Sequence, residues 1–122
     1  MIDYRKTDDG VMELRVSGKI TSEEMESISA RIRMDMPEHG KVRMLEFVED
    51  FDGIELSALW YDLHRNLPLT DRFERVAVIS DRRWIDMFSG VADRLVSCDV
   101  RHFEPGAIGE ARSWLREPSR NG

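Results

Sequence analysis

A single cysteine, Cys98, is the chain's whole supply of thiol, so no internal disulfide can close and a cysteine-rich zinc site is excluded. Cys98 is expected as a small core residue. Histidine is nearly as scarce. His39, His64 and His102 show no paired ligand spacing, so no metal and no cofactor is expected. A basic excess is also missing: 18 Lys and Arg face 24 Asp and Glu, for a net charge of −6. That excess is local. Residues 46–62 hold Glu46, Glu49, Asp50, Asp52, Glu55 and Asp62 without one Lys or Arg, and the other positions balance at 18 against 18. Neutralising a phosphate backbone needs a basic stripe, so a nucleic-acid partner is not expected. No apolar run approaches the length of a membrane span, and the stretch from Met1 to Arg5 lacks the apolar core of a signal peptide. The expected location is the cytoplasm.

What is present reads as one globular α/β domain over residues 1–117, with a frayed polar tail at 118–122. With 41% hydrophobic and 34% charged residues the composition argues against disorder. A chain of 122 residues is long enough to bury about two thirds of its unfolded surface. Ile2 to Lys6 and Val11 to Val16 read as strands joined through Asp8-Asp9-Gly10, whose Asp-Gly pair is a strong hairpin signal. In the second strand Met12, Leu14 and Val16 alternate with Val11, Glu13 and Arg15, which predicts one buried face and one partly wet face. Thr21 and Glu24 fit a capping box, and Met25, Ile28, Ile32 and Met36 fall on one helical stripe that Pro37 and Gly40 terminate.

Lys41 to Val48 is apolar on both faces, the pattern of a central parallel strand covered on each side. Glu46 lies inside it. A carboxylate there is either a tuned acid or base, or a side chain near the strand end that reaches solvent or a backbone donor. A second helix follows, with Asp52 and Glu55 as capping groups, Phe51 stapled onto Leu56, and Leu56, Leu59, Trp60, Leu63 and Leu67 as its buried stripe. Ser57, Tyr61 and His64 share the flanking edge, where a hydroxyl, a phenol and an imidazole could line a pocket. Phe73 to Ile79 reads as another central strand. Ser80-Asp81 caps a helix bearing Trp84, Ile85, Phe88, Val91 and Leu95. Arg82 and Arg83 sit in its first turn, where the helix dipole disfavours cations, and an anion held there would remove that conflict. Ser97 to Phe103 alternates and reads as the last strand, with His102 structural. Pro105 opens a final helix with Ile108, Ala111, Trp114 and Leu115 inward.

The predicted order is therefore β-β-α-β-α-β-α-β-α: an open mixed sheet of about five strands, an N-terminal antiparallel hairpin followed by β-α repeats, and four main helices. In this order, Gly18-Lys19, Glu38-His-Gly-Lys-Val-Arg43, Ala58-Leu-Trp60 with Asp62, Phe73-Glu-Arg-Val-Ala-Val78, Asp81-Arg-Arg-Trp84, Val100-Arg-His-Phe103 and Ala111 with Trp114-Leu115 together resemble the SpoIIAA-like family of small bacterial STAS-type domains. The resemblance spans residues 1–116. It implies a fold related to the lipid-carrying CRAL-TRIO (Sec14-like) domains. It also implies a non-enzymatic module, often a homodimer, that binds a small apolar or lipid-like ligand and contacts membranes loosely, to which the Arg82-Arg83 reading adds an anionic group.

Three functional expectations follow. The first is ligand binding in a crevice walled by Ser57, Trp60, Tyr61 and His64 on one side and by Arg82, Arg83 and Trp84 on the other. The second is a protein-interaction switch. Sporulation regulators of this fold are phosphorylated on a serine in an Asp-Ser-Ser-Gly type turn; here Gly53-Ile-Glu-Leu-Ser57-Ala58 offers only Ser57, without the flanking acidic and glycine pattern. The third is an enzyme with Glu46 or His64 as its base.

Overall fold

The computed structural model describes residues 1–18, 21–49, 72–81 and 99–118. Five strands are present among them: β1 (Ile2–Lys6), β2 (Met12–Ser17), β3 (Val42–Glu49), β4 (Phe73–Ile79) and β5 (Asp99–Phe103). They form one sheet in the order β1-β2-β3-β4-β5. β1 and β2 are antiparallel, whereas β2 to β5 are all mutually parallel. The described residues contain two α-helices, α1 (Ser22–Asp35) and α2 (Ile108–Arg116), the latter entered through a 3-10 turn at Pro105–Ala107. The helices expected around Leu56 to Leu67 and Trp84 to Leu95, like Cys98, lie outside the described residues.

The hairpin forms where the Asp-Gly signal places it. Gly10 takes a φ of 86°, a left-handed conformation that costs glycine little, and its N–H donates to the Thr7 carbonyl at 3.0 Å. α1 begins with the expected capping box. The Glu24 N–H donates to Thr21 Oγ at 3.1 Å, and the Thr21 N–H donates to Glu24 Oε1 at 3.2 Å. That second bond holds the Glu24 carboxyl below the ordinary glutamate range. Because the folded state favours the ionised form, the contribution is present at neutral pH and is lost as acid protonates Glu24. Thr21→Ala is expected to destabilise the protein by about 1 kcal/mol. Thermal melts of wild type and variant at pH 7 would check it; Glu24→Ala, which removes the carboxylate that the Thr21 N–H reaches, is the variant whose stability gap should narrow in acid.

Each face of the sheet carries its own core. On one face α1 sets Ile28 and Ile32 against Ile2, Tyr4, Met12, Leu14, Val16, Met44 and Val48, with Met25 and Met36 packed at the margin, as the stripe predicts. Tyr4 fastens this layer, its hydroxyl donating to Asp35 at 2.7 Å. Burial, and then this bond, push the phenol's pKa well above its ordinary value. Arg31 donates to the Tyr4 carbonyl at 3.2 Å, and Lys6 donates to the Asp35 carbonyl at 2.8 Å. These side chains cover an edge strand that would otherwise offer free backbone groups to another chain.

The opposite face is covered over β3, β4 and β5 by α2. Ala111, Trp114 and Leu115 pack on Leu45, Phe47, Ala77, Ile79 and Phe103, and the Phe103 and Trp114 rings lie 5.9 Å apart. Arg43 and Arg75 are register partners on β3 and β4 beneath the end of this helix. Arg75 donates to the Trp114 carbonyl at 2.7 Å and to those of Glu117 and Pro118 at 3.2 Å each, while Arg43 donates to the carbonyls of Leu115 and Glu117. A helix C-terminus exposes carbonyls that lack intrahelical partners, and the two guanidiniums satisfy them.

One expectation about burial is corrected here. Glu13 and Val11 were placed on a partly wet face, yet Glu13 is only 7% exposed and Val11 is also buried. The Glu13 carboxylate is enclosed by Arg5, at 3.0 Å, and by Arg112 of α2, at 3.5 Å. A pattern on one strand cannot register cations that arrive from β1 and from a helix almost a hundred positions away.

Candidate functional site

Parallel pairing gives β2 to β5 a common carboxyl edge. β3 ends at Glu49 and β4 at Ile79, and Phe47 is the register partner of Ile79. Residues 50–71 therefore depart from the same edge as residues 82–98, from strands spaced about 4.8 Å apart. Ser57, Trp60, Tyr61 and His64 belong to the first of these segments, and Arg82, Arg83 and Trp84 to the second. All seven lie outside the described residues.

The last described residues at this edge are anchored. Ser80 is buried, and its N–H donates to the Phe103 carbonyl at 3.3 Å. His102 Nε2 lies 2.8 Å from the Ser80 carbonyl and 3.1 Å from Ser80 Oγ. A carbonyl oxygen only accepts, so Nε2 carries a proton and donates. Ser80 Oγ in turn donates to the Asp81 carbonyl at 3.1 Å. His102 therefore acts structurally, as the sequence reading has it, and ties β5 to the turn that opens the Arg82-Arg83 segment. Sequence reasoning missed its partner. The available signal was the alternation of β5, which puts His102 on the same face as Val78, one step before Ser80.

Glu46 is fully buried, flanked in register by Leu14 on β2 and Val78 on β4, and shares the face that carries α1. Escape of its side chain to solvent, one of the two bland readings, is overturned. The strand extends three residues beyond it, which keeps it away from the sheet edge. His64, the other candidate base, lies outside the described residues. Among the described residues no group of three or more His, Cys, Asp or Glu side chains is placed to hold a metal ion, and no helix is long and apolar enough to cross a membrane.

The strand order bears on where a crevice can open. In a doubly wound sheet the binding crevice opens where the order of strands reverses. Here the order runs from β1 to β5 without reversal, so no switch point exists among the described strands. β3 and β4 end side by side at the carboxyl edge.

Comparison with known proteins agrees with this architecture. No curated protein matches the chain. A solved structure, the crystal structure of an uncharacterised protein of the DUF3478 family with a SpoIIAA-like fold from Shewanella loihica PV-4, superposes with a TM-score of 0.71 at 24% identity, covering 94% of this chain and 92% of that one. At that identity the likeness speaks for the fold. The family model named SpoIIAA-like matches residues 11–116, from the last residue of the hairpin turn to the final residue of α2. With its parallel strands and its closing helix inside that match, the chain belongs to the SpoIIAA-like family.

Proposed function

We propose that the protein is a STAS-like binding module without catalytic activity of its own, whose ligand is a small apolar or lipid-like molecule with an anionic headgroup. The observation that supports this most directly is the parallel pairing of β3 with β4, which starts both candidate walls at adjacent points of one sheet edge. Trp60, Tyr61 and Trp84 supply aromatic surface for the apolar part. Arg82 and Arg83 supply charge for the headgroup, and Ser57 and His64 supply polar contacts for orientation. Loose membrane contact and self-association belong to the same reading, since a lipid-like ligand has to be collected from a bilayer.

Native mass spectrometry of gently purified protein, followed by oleate titration of the delipidated protein, tests the proposal. The expected result is a co-purifying small molecule and saturable oleate uptake, weakened about tenfold in Arg83→Glu through loss of a charge-assisted contact. Absence of both a bound molecule and oleate uptake would overturn it.

A further inference from the structure

α2 leaves part of its own face of the sheet open. Over β1 and β2 that face forms a groove of about 440 Å³ lined by Asp3, Arg5, Glu13, Arg15, Phe47 and Arg112, among others. The cross-strand register explains the gathering: Arg5 stands opposite Glu13 and Asp3 opposite Arg15, all on the side reached by Arg112 of α2. Three guanidiniums from three different elements thus meet in one concavity.

They are held to different degrees. Arg5 donates through Nε at 3.3 Å and through a terminal nitrogen at 3.0 Å to the buried Glu13 carboxylate, and Arg112 reaches the same oxygen at 3.5 Å. Glu13 therefore orients two cations and is itself neutralised. Arg15 has only a long ion pair to Glu49 at 3.7 Å, and its guanidinium stacks 4.8 Å above the Phe47 ring, which keeps the planar fork extended. Each guanidinium retains N–H donors that these contacts do not use. Three cations meet the carboxylates of Asp3 and Glu13 in the lining and that of Glu49 at its margin, so the groove is close to neutral in a chain of net charge −6.

That contrast selects the ligand. At physiological salt, fields are screened beyond about 8 Å, so a small anion feels the local cations, while an extended polyanion meets the acidic remainder. A phosphate monoester offers one terminal oxygen to each of three guanidiniums and carries about −1.5 to −2 charge, where a carboxylate offers two oxygens and a single charge. The groove's volume falls within the range of small-molecule sites, about 300–1,000 Å³, and leaves room for a substituent beyond the phosphate. We propose that Arg5, Arg15 and Arg112 form a second site, separate from the carboxyl-edge crevice, that binds a phosphate monoester, either free in solution or as a lipid headgroup.

The test is calorimetric titration of the full chain with glycerol 3-phosphate at low salt, alongside co-sedimentation with phosphatidylcholine vesicles made with and without phosphatidic acid. Saturable binding in the first arm identifies a soluble ligand, and sedimentation that requires phosphatidic acid identifies a lipid source. Either must weaken about tenfold in Arg15→Gln and in Arg112→Gln and persist in the double variant Arg82→Gln, Arg83→Gln. Arg15 is half exposed with one long ion pair, so Arg15→Gln is expected to fold normally, and circular dichroism and a melt verify this. The proposal is overturned if neither probe binds, if both groove variants bind as wild type does, or if binding disappears only in the Arg82, Arg83 double variant.

Discussion

Arg75→Met should lower the unfolding free energy by about 3 kcal/mol, more than any surface substitution in the chain. The Arg75 side chain is 7% exposed, and its guanidinium satisfies the carbonyls of Trp114, Glu117 and Pro118 at the end of α2. Methionine keeps much of the aliphatic volume and removes every donor; the Trp114 carbonyl keeps the Glu117 N–H and the Glu117 carbonyl keeps Arg43, so the measured loss reports the guanidinium's own bonds to the end of α2 more than a cavity. The guanidinium also lies 5.4 Å from the centre of the Trp114 ring, and that contact disappears as well. The nearby Glu117 carboxylate, 3.8 Å away and 58% exposed, contributes little by comparison. Arg75→Lys should recover less than half of the loss, because a compact ammonium cannot span carbonyls that a planar fork spans. Urea denaturation of the three proteins decides the matter. An Arg75→Met variant within about 0.5 kcal/mol of wild type would show that α2 holds to the sheet by its apolar face alone.

Leu45→Ala is expected to cost about 3 kcal/mol by a different route. Leu45 is fully buried at the centre of β3, on the face where Ala77, Phe103, Trp114 and Leu115 pack. β3 is hydrogen-bonded to parallel neighbours on both sides, so the backbone cannot move inward to fill the space. Lost transfer free energy and a persistent cavity therefore add. Met34→Ala is the matched control: Met34 is 83% exposed, and its truncation should stay within about 0.5 kcal/mol. Equal denaturation midpoints for the two variants would contradict the placement of Leu45. β3 also feeds residues 50–71, so oleate binding by Leu45→Ala at temperatures where it remains folded would show whether the crevice depends on a rigid strand beneath it.

Local rules carried most of the fold because the relevant interactions are short in sequence. Thr21 and Glu24 are three residues apart, and their capping box formed as expected. Gly10 closes a hairpin within its own turn, and the two-sided apolar pattern of β3 reflects coverage by a helix on either face. The candidate site was less legible, since it depends on which strand ends stand side by side. Glu13 shows the limit from the opposite direction: its alternation on β2 said wet, and Arg112, 99 positions away, made it buried.

The sequence by itself determined the order of the described strands and helices, the two apolar layers, the cap of α1 and, through motifs spread along the chain, the SpoIIAA-like family. Those properties follow from periodicity and from contacts between near neighbours. Tertiary structure alone decided that the strands run from β1 to β5 without reversal, that Arg43 and Arg75 terminate α2, that His102 locks onto Ser80, and that Arg5, Arg15 and Arg112 converge on an open part of one face. Each of these joins residues from separate elements. A linear pattern fixes which face of its own element a side chain occupies, whereas its partners across the sheet are set only when the strands have chosen their neighbours.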